Sequence, residues 1–359
     1  MIPFLIELLK IAFLLQLIFA FASLCTWFER KASALIQNRV GANRAGVYLK
    51  SDNFFLKPFI PVLKFLGILG VVNTLFCDAV KAIFKEDFVP SHTSRFLHTL
   101  APFASVVPIF MAFAVIPFAP DFVIGTHLIR PQVAQISVGI LFVFAMTALA
   151  VYGVMLAGWS SDNKFSLLGA LRASAQMISY EIAMGTIFVT MILSYATLDL
   201  YKMVELQIDG VWGVVNQPLS FLLLFIVGMA ETKRGPFDLP ESESELVAGY
   251  FTEYSGMKFL LFWLGEFAEI ALFSMILTIL FLGGWHLPGV SFATNSLLGT
   301  IVGHFVLVLK TAFLCLVQIT LRWTLPRFRY DQLMRVGWNV VLPISLVNLF
   351  LTAVVKVFF

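Results

Sequence analysis

The stretch ETKRGPFDLPESESELVAGYFTEYSG, residues 231–256, carries six carboxylates: Glu231, Asp238, Glu241, Glu243, Glu245 and Glu253. Only Lys233 and Arg234 offset them, so six acids against two bases leave a net charge of −4. Carboxylates held close together raise one another's pKa and exchange protons near neutral pH, so the chemistry on offer is proton transfer. A plainer reading exists for part of the set. Asp238-Leu-Pro-Glu241 resembles a helix N-cap with its reciprocal acid, and Pro240 sits where a missing N–H is harmless. Glu241 and Glu243 then fall in the first turn, where the helix dipole favours them. Capping and function account for those two equally well. Glu245 and Glu253 lie beyond that turn, and Glu241 repels Glu245 at i, i+4. For Glu245 proton chemistry is the better reading.

Other ionisable groups sit inside apolar runs. Glu181 follows AQMISY, and Glu266 and Glu269 are three residues apart. A charge at the bilayer centre costs roughly 2.5–3.5 kcal/mol on insertion scales, so such groups face a wet interior, pair, or carry a proton. Glu181 and Glu266 read as members of a proton or polar path. Glu269 and His304 read as readily as structural groups, and Lys310 as the partner of Glu266 or Glu269. Glu7, Lys10 and Lys356 lie near run ends, where they snorkel. In TWFERKASALIQNRVGAN (26–43), Lys31 is an ordinary basic flank, while Glu29 beside Arg30 is placed to line the mouth of a site. Asp78, one turn from Lys81, is equally a surface ion pair. Cys25, Cys77 and Cys315 are scattered with no CxxC spacing, which argues against an iron–sulfur or zinc site in the chain. No glycine-rich dinucleotide fingerprint follows a strand.

These residues must be positioned by membrane helices. The chain has 359 residues, 60% hydrophobic and 13% charged, with mean hydropathy +0.92, which is the composition of an integral membrane protein. A helix crosses the hydrocarbon with roughly 20 apolar residues. Such runs lie near 3–28, 97–119, 133–157, 174–194, 257–283, 299–321 and 337–359, with a shorter eighth at 211–230 containing Pro218. The runs are continuous, not alternating, which excludes a β-barrel. The first lacks a basic n-region and a cleavage site and reads as a retained helix. The expected fold is an all-α integral membrane protein, a single polytopic domain over 1–359. It has about eight transmembrane helices plus a cytoplasmic interfacial amphipathic segment. The loops 28–96, 158–173, 231–256 and 322–336, with Lys258, hold 19 basic residues, and the alternate loops hold only Arg130 and Lys202. The basic side is cytoplasmic, and both termini lie opposite. The run 54–80, broken by Pro58, Pro61 and Lys64, reads as the amphipathic segment within the 29–96 loop.

Four ordered motifs carry a resemblance: the acidic loop itself, GALRASAQMISYE (169–181), ERKASALIQNRVGANRAG (29–46) and LRWTLPRFRYDQLMRVGW (321–338). Together they resemble the H-type membrane-subunit family (subunit 1 in mitochondria) of complex I, the proton-pumping NADH:quinone oxidoreductase. The resemblance implies a heel between the hydrophilic and membrane arms, in contact with other subunits of both, with membrane lipid and with no nucleic acid. It implies a bacterial inner (plasma) membrane or an organellar inner membrane. Quinone is the implied substrate; FMN and iron–sulfur clusters reside in partner subunits, and this chain binds no redox cofactor. Matched by position, Glu29, Arg30, Asp78, Arg234 and Asp238 are implied for the quinone chamber. Glu181, Glu231, Glu241, Glu243, Glu245, Glu253 and Glu266 are implied for proton coupling. Three departures stand out: Lys233 replaces the usual asparagine of ETNR, Ala42 replaces the proline of a GPN turn, and residues 49–70 look inserted. Two rivals remain. A related subunit of an ion-pumping hydrogenase would share the fold, and a standalone carrier would explain intramembrane charges without redox partners.

Overall fold

The computed structural model describes residues 2–41, 61, 77–124, 127–240, 243–288 and 296–358, with side chains for all of these except 2–5, 124, 127, 128, 243 and 244. The first helix, α1 (Ile2–Ile36), is followed by the short α2 (Asp78–Phe84) and by α3 (Arg95–Phe113). A hairpin of two three-residue strands, β1 (Phe122–Ile124) and β2 (His127–Ile129), leads to α4 (Gly139–Ser160) and α5 (Lys164–Tyr195). Next come α6 (Leu200–Asp209), the single turn α7 (Gly213–Asn216) and α8 (Pro218–Glu231). After α9 (Glu243–Leu246) and a 3-10 turn (Gly249–Phe251) come α10 (Gly256–Phe281) and α11 (Leu297–Thr324). Last, α12 (Tyr330–Val336) runs through a π-helical turn (Gly337–Val341) into α13 (Leu342–Phe358). Seven of these helices are long and apolar enough to cross a membrane, counting α12 to α13 as one. The chain is a multi-pass, all-α membrane protein.

The eighth expected crossing differs from the others. Pro218 stands at the first position of α8, where its missing N–H costs nothing, and Gln217 separates α8 from α7. The helix has 14 residues, about 21 Å at 1.5 Å per residue, against a hydrocarbon core of roughly 30 Å. Its start is tied to α13, where Gln217 donates to the Thr352 hydroxyl at 3.0 Å and Asn348 donates to Ser220 at 2.8 Å. Its end comes early, and all ten residues from 231 to 240 are buried. The acidic loop therefore begins inside the bundle.

Around this loop, α10 forms the centre. Apolar residues lie on all its sides, with Glu266 and Glu269 set among them, which is the pattern of a helix enclosed by others. The most apolar stretch of α10 is 94% buried, against 28% for α1 and 22% for α12–α13, which places the latter two at the periphery. The backbones of α3 and α4 approach closely, since a Cβ on Gly153 would overlap the Ser105 backbone nitrogen. Small residues permit such backbone contact in membranes, where packing drives association.

Several expectations are corrected. The loop expected at 158–173 shrinks to Ser161–Asn163, because Asn163 caps α5 by accepting from the Phe165 N–H at 2.9 Å and the helix starts ten residues early. The Asp238 carboxylate accepts from Arg327 at 3.2 Å; the reciprocal acid expected to complete its cap, Glu241, lies outside the described residues. Lys310 does not meet Glu266 or Glu269. Its ammonium donates to the carbonyls of Leu282, Gly284 and His286 at 2.6, 3.0 and 2.5 Å, closing the C-terminal end of α10, with the Trp212 ring 4.5 Å away. Carbonyls left open at a helix end take a cation well. Most of the 54–80 segment and all of 49–60, with Ala42, lie outside the described residues.

Sidedness gives the first testable outcome. Ile208, exposed on α6, sits on the face expected outside, and Asp162 in the α4–α5 turn on the cytoplasmic face. A cysteine at 208 should react with an impermeant maleimide added to intact cells, and one at 162 only after the membrane is opened. Equal labelling of both in intact cells would refute the orientation.

Candidate functional site

The buried start of the acidic loop meets charged groups from three helices. At its rim the Arg322 guanidinium, in the last turn of α11, is ion-paired to Glu29 of α1. The other face of Glu29 accepts from Arg234 at 3.2 Å. Arg234 uses its second terminal nitrogen on Glu266 of α10, at 3.3 Å, and its guanidinium lies 4.4 Å from the centre of the Phe267 ring. Glu266 also accepts from the Tyr250 hydroxyl at 2.9 Å. The result is a continuous line, Arg322–Glu29–Arg234–Glu266–Tyr250. Exposure falls along it, from 29% for the Arg322 side chain through 18% for Glu29 and 11% for Arg234 to 5% for Glu266. A cavity of about 10 Å³ lies beside Glu29, Arg234 and Arg322, room for about one water.

Beside that line, Lys233 donates to Glu269 at 3.3 Å, with both side chains buried. Burial alone would lower the Lys233 pKa; Glu269, Glu266 and Glu231 more than reverse this and raise it, so the ammonium stays charged. Lys233 holds a left-handed backbone, φ +54°, a conformation that glycine or asparagine ordinarily occupies just past a helix end. Glu231 is fully buried, and neither of its carboxyl oxygens has a hydrogen-bond partner among the described residues. Gln176 of α5 fixes the loop's backbone by donating to the carbonyls of Ala230 at 2.7 Å and Phe237 at 3.0 Å. Below the line, Phe237 stacks on Phe328 with ring centres 5.5 Å apart.

Comparison with known proteins gives the family of the chain. The family model described as NADH dehydrogenase matches residues 9–353. Among similar proteins is an H-type subunit of the NADH-quinone oxidoreductase of Geobacter metallireducens, 39% identical over 97% of this chain and 94% of that protein. Subunit 8 of the Rhodothermus marinus enzyme is 42% identical over 92% of each chain. The H-type subunit of Protochlamydia amoebophila is 43% identical over 93% of each. The chain belongs to the NADH dehydrogenase family, as an H-type subunit. It is therefore a subunit of an enzyme complex.

The residues singled out in this NADH dehydrogenase family member divide into three groups. Glu29, Arg234 and Glu266 are joined directly, and Glu231 is buried within electrostatic reach of Glu269, Lys233 and Glu181. A second group lies towards the rim expected to be cytoplasmic. Arg30 turns away from its neighbour Glu29 and donates to Asp78 at 2.6 Å, with Trp263 5.1 Å beneath its guanidinium, so Asp78 pairs across to α1 and not with Lys81. Asp238 is held by Arg327. The third group points outward. Glu245 accepts from Arg172 at 2.6 Å and is 58% exposed, and Glu253 accepts from Asn163 at 2.8 Å. Glu241 lies outside the described residues, as does the Glu243 side chain.

Four contributors were not singled out from sequence. Arg322 lies in a motif that was recognised, yet only its return across α1 shows its partner. Lys233 stands out in the sequence as an added base beside carboxylates, but only the fold shows that Glu269 is its partner. Tyr250 and Gln176 carry no sequence signal beyond being polar groups in apolar surroundings. Nearby, Tyr254 stacks on His98 with ring centres 4.1 Å apart, and its hydroxyl lies 3.1 Å from Ser160. Burial pushes the Tyr254 phenol up to about 12, so it stays a neutral donor.

Proposed function

We propose that this chain forms the membrane heel of an NADH:quinone oxidoreductase, helping to enclose the quinone and passing the charge change of its reduction to carboxyls in the membrane. The continuous line from Arg322 to Glu266 carries this reading. It connects the cytoplasmic rim, where Arg30–Asp78 and Arg327–Asp238 would flank the quinone entrance, to groups near the middle of α10. Arg234 is bonded to carboxylates on both sides, so a proton arriving at Glu29 weakens one contact and frees the guanidinium for Glu266. Such a shift moves charge inward without moving a helix. Glu181, Glu231, Glu241, Glu243, Glu245 and Glu253 would extend the relay to either side.

On this reading the chain supplies positioned charge and proton sites only. FMN and iron–sulfur clusters would be held by partner subunits, quinone would be shared with them, and the complex would sit in a bacterial inner or organellar inner membrane. The test is Glu266→Gln in the assembled complex, which keeps shape and hydrogen bonding but removes the titratable group. Quinone-linked NADH oxidation and proton uptake into vesicles should fall at least about tenfold, while reduction of a hydrophilic artificial acceptor stays near normal; tenfold corresponds to about 1.4 kcal/mol. An assembled variant that pumps at the wild-type rate would refute the relay.

A further inference from the structure

Beneath the line of ion pairs, α1, α10 and α11 share a seam that holds two of the chain's three cysteines, both buried and unbridged. Helices α1 and α11 pack directly against each other. Two contacts set their register: Phe13 meets His304 with ring centres 5.3 Å apart, and further along both helices Glu29 is ion-paired to Arg322. Between these contacts lie Cys25, twelve residues past Phe13, and Cys315, eleven past His304. At 1.5 Å per residue the two climb about 18 and about 17 Å, so they arrive at one level. Each belongs to the buried stripe of its helix, with Ile18 and Ala22 on α1 and with Thr311 and Gln318 on α11. Each thiol acts electrostatically on the other.

Cysteine packs as a small apolar residue, and either one alone would be no more than that. The pairing adds chemistry. Ser274 of α10 accepts from the Cys315 thiol and from the Gln318 amide, both at 3.2 Å. Gln318 also lines the cavity beside Glu29, and its carbonyl oxygen has no hydrogen-bond partner among the described residues. A polar, water-sized pocket therefore lies one helical turn from the thiols, where a small uncharged oxidant can approach.

We propose that Cys25 and Cys315 form an oxidisable dithiol, which hydrogen peroxide converts to a disulfide joining α1 to α11. One sulfur, as thiolate, attacks a peroxide oxygen. The O–O bond breaks, leaving a sulfenic acid and a hydroxide, which takes up the proton the thiol released and departs as water. The second thiol attacks the sulfenic sulfur, the S–O bond breaks, and the hydroxyl leaves as water with that thiol's proton. Two electrons pass from the sulfurs to the peroxide, and no net charge is left behind. A disulfide holds its sulfurs about 2.05 Å apart, so closure draws the two helices together. Glu29, one turn on from Cys25, moves with α1, and its contacts to Arg322 and Arg234 shift.

The dithiol stands without the relay reading above, whereas its effect on turnover rests on it. The assembled complex in vesicles is treated with graded hydrogen peroxide, cleared with catalase, denatured, alkylated and mapped by peptide mass spectrometry. A linked Cys25–Cys315 peptide is expected, and a phosphine reductant should remove it. No linked peptide at any dose up to the one that dismantles the complex overturns the inference. Quinone-linked NADH oxidation should fall at least about threefold as the link forms, since an ångström of misplacement costs up to about a hundredfold. That fall should reverse on reduction, and both it and the peptide should be lost in Cys25→Ala and in Cys315→Ala. Either variant suffices, so failure of one to assemble leaves the other. A linked peptide without a reversible, variant-sensitive fall upholds the dithiol and refutes a coupling role for the position of Glu29.

Discussion

Replacing Arg234 with methionine should abolish quinone-linked NADH oxidation and proton uptake together, and should lower the amount of assembled complex. Methionine keeps much of the apolar stem that lies against Phe267 but leaves Glu29 and Glu266 without their shared cation. Removing one member of a buried ion pair costs roughly 3–5 kcal/mol, because the other charge stays behind unpaired. Two carboxylates are stranded here, although Arg322 still serves Glu29 and Tyr250 still serves Glu266. Arg234→Lys separates charge from shape. An ammonium preserves the cation but lacks the planar fork that reaches both carboxylates at once. It should assemble normally, with quinone-linked turnover reduced by about tenfold, or about 1.4 kcal/mol. The measurements are NADH oxidation with quinone and with a hydrophilic acceptor, dye quenching in vesicles, and a blot for assembled complex. If Arg234→Met assembles and pumps normally, the line of ion pairs is only structural.

A second large effect should come from a residue with no chemistry. Gly153→Val places branched carbon where the α3 backbone already is, since even a Cβ there would lie 2.5 Å from the Ser105 Cα and 2.7 Å from the Ala104 carbonyl carbon. Backbone cannot swing aside as a side chain does, so α3 and α4 must separate. Overpacking typically costs about 1–3 kcal/mol, and this site belongs at or above the upper end. The variant should fail to accumulate in the membrane at the growth temperature. Gly185→Ala, whose added carbon has the Phe144 ring as its nearest neighbour at 3.2 Å, is the matched control and should accumulate. Normal levels of Gly153→Val would show that the α3–α4 approach is not needed.

The long helices were legible because an unbroken apolar run has few other solutions in a bilayer. Their depth in the bundle was not: α1 and α4 are as uniformly apolar as α10, yet only α10 is enclosed. What the sequence concealed was the consequence of a short helix. The run ending at Ala230 looks like the others in hydropathy, but Pro218 and the break at Gln217 delay its start, and the left-handed turn at Lys233 follows its end while the chain is still inside the bundle. Counting from the sequence puts Glu231 at a surface loop; the fold puts it at zero exposure. The same displacement separates the members of the acidic loop. Glu245, strongest by sequence because no dipole explains it, is the exposed partner of Arg172. Exposed pairs contribute about 0–1 kcal/mol. Partner choice was concealed too, because Glu29 finds Arg234 and Arg322 roughly two and three hundred positions along the chain. Neighbouring residues 29 and 30 face different partners, which adjacency on a helix permits and does not reveal.

The enclosure of α10 has a consequence for how the gene can vary. A helix with lipid on one side can exchange leucine for isoleucine or phenylalanine there at little cost, as the outer faces of α1 and α13 can. With 94% of its central stretch enclosed, α10 has almost no such face. Its middle is held by Lys233 and Arg234, and its end by the Lys310 ammonium on three carbonyls. Saturation mutagenesis scored by respiratory growth should therefore show permissive positions every third or fourth residue along α1 and α13. Along α10 the rhythm should vanish, leaving an unbroken block of intolerance from Phe267 to Phe281.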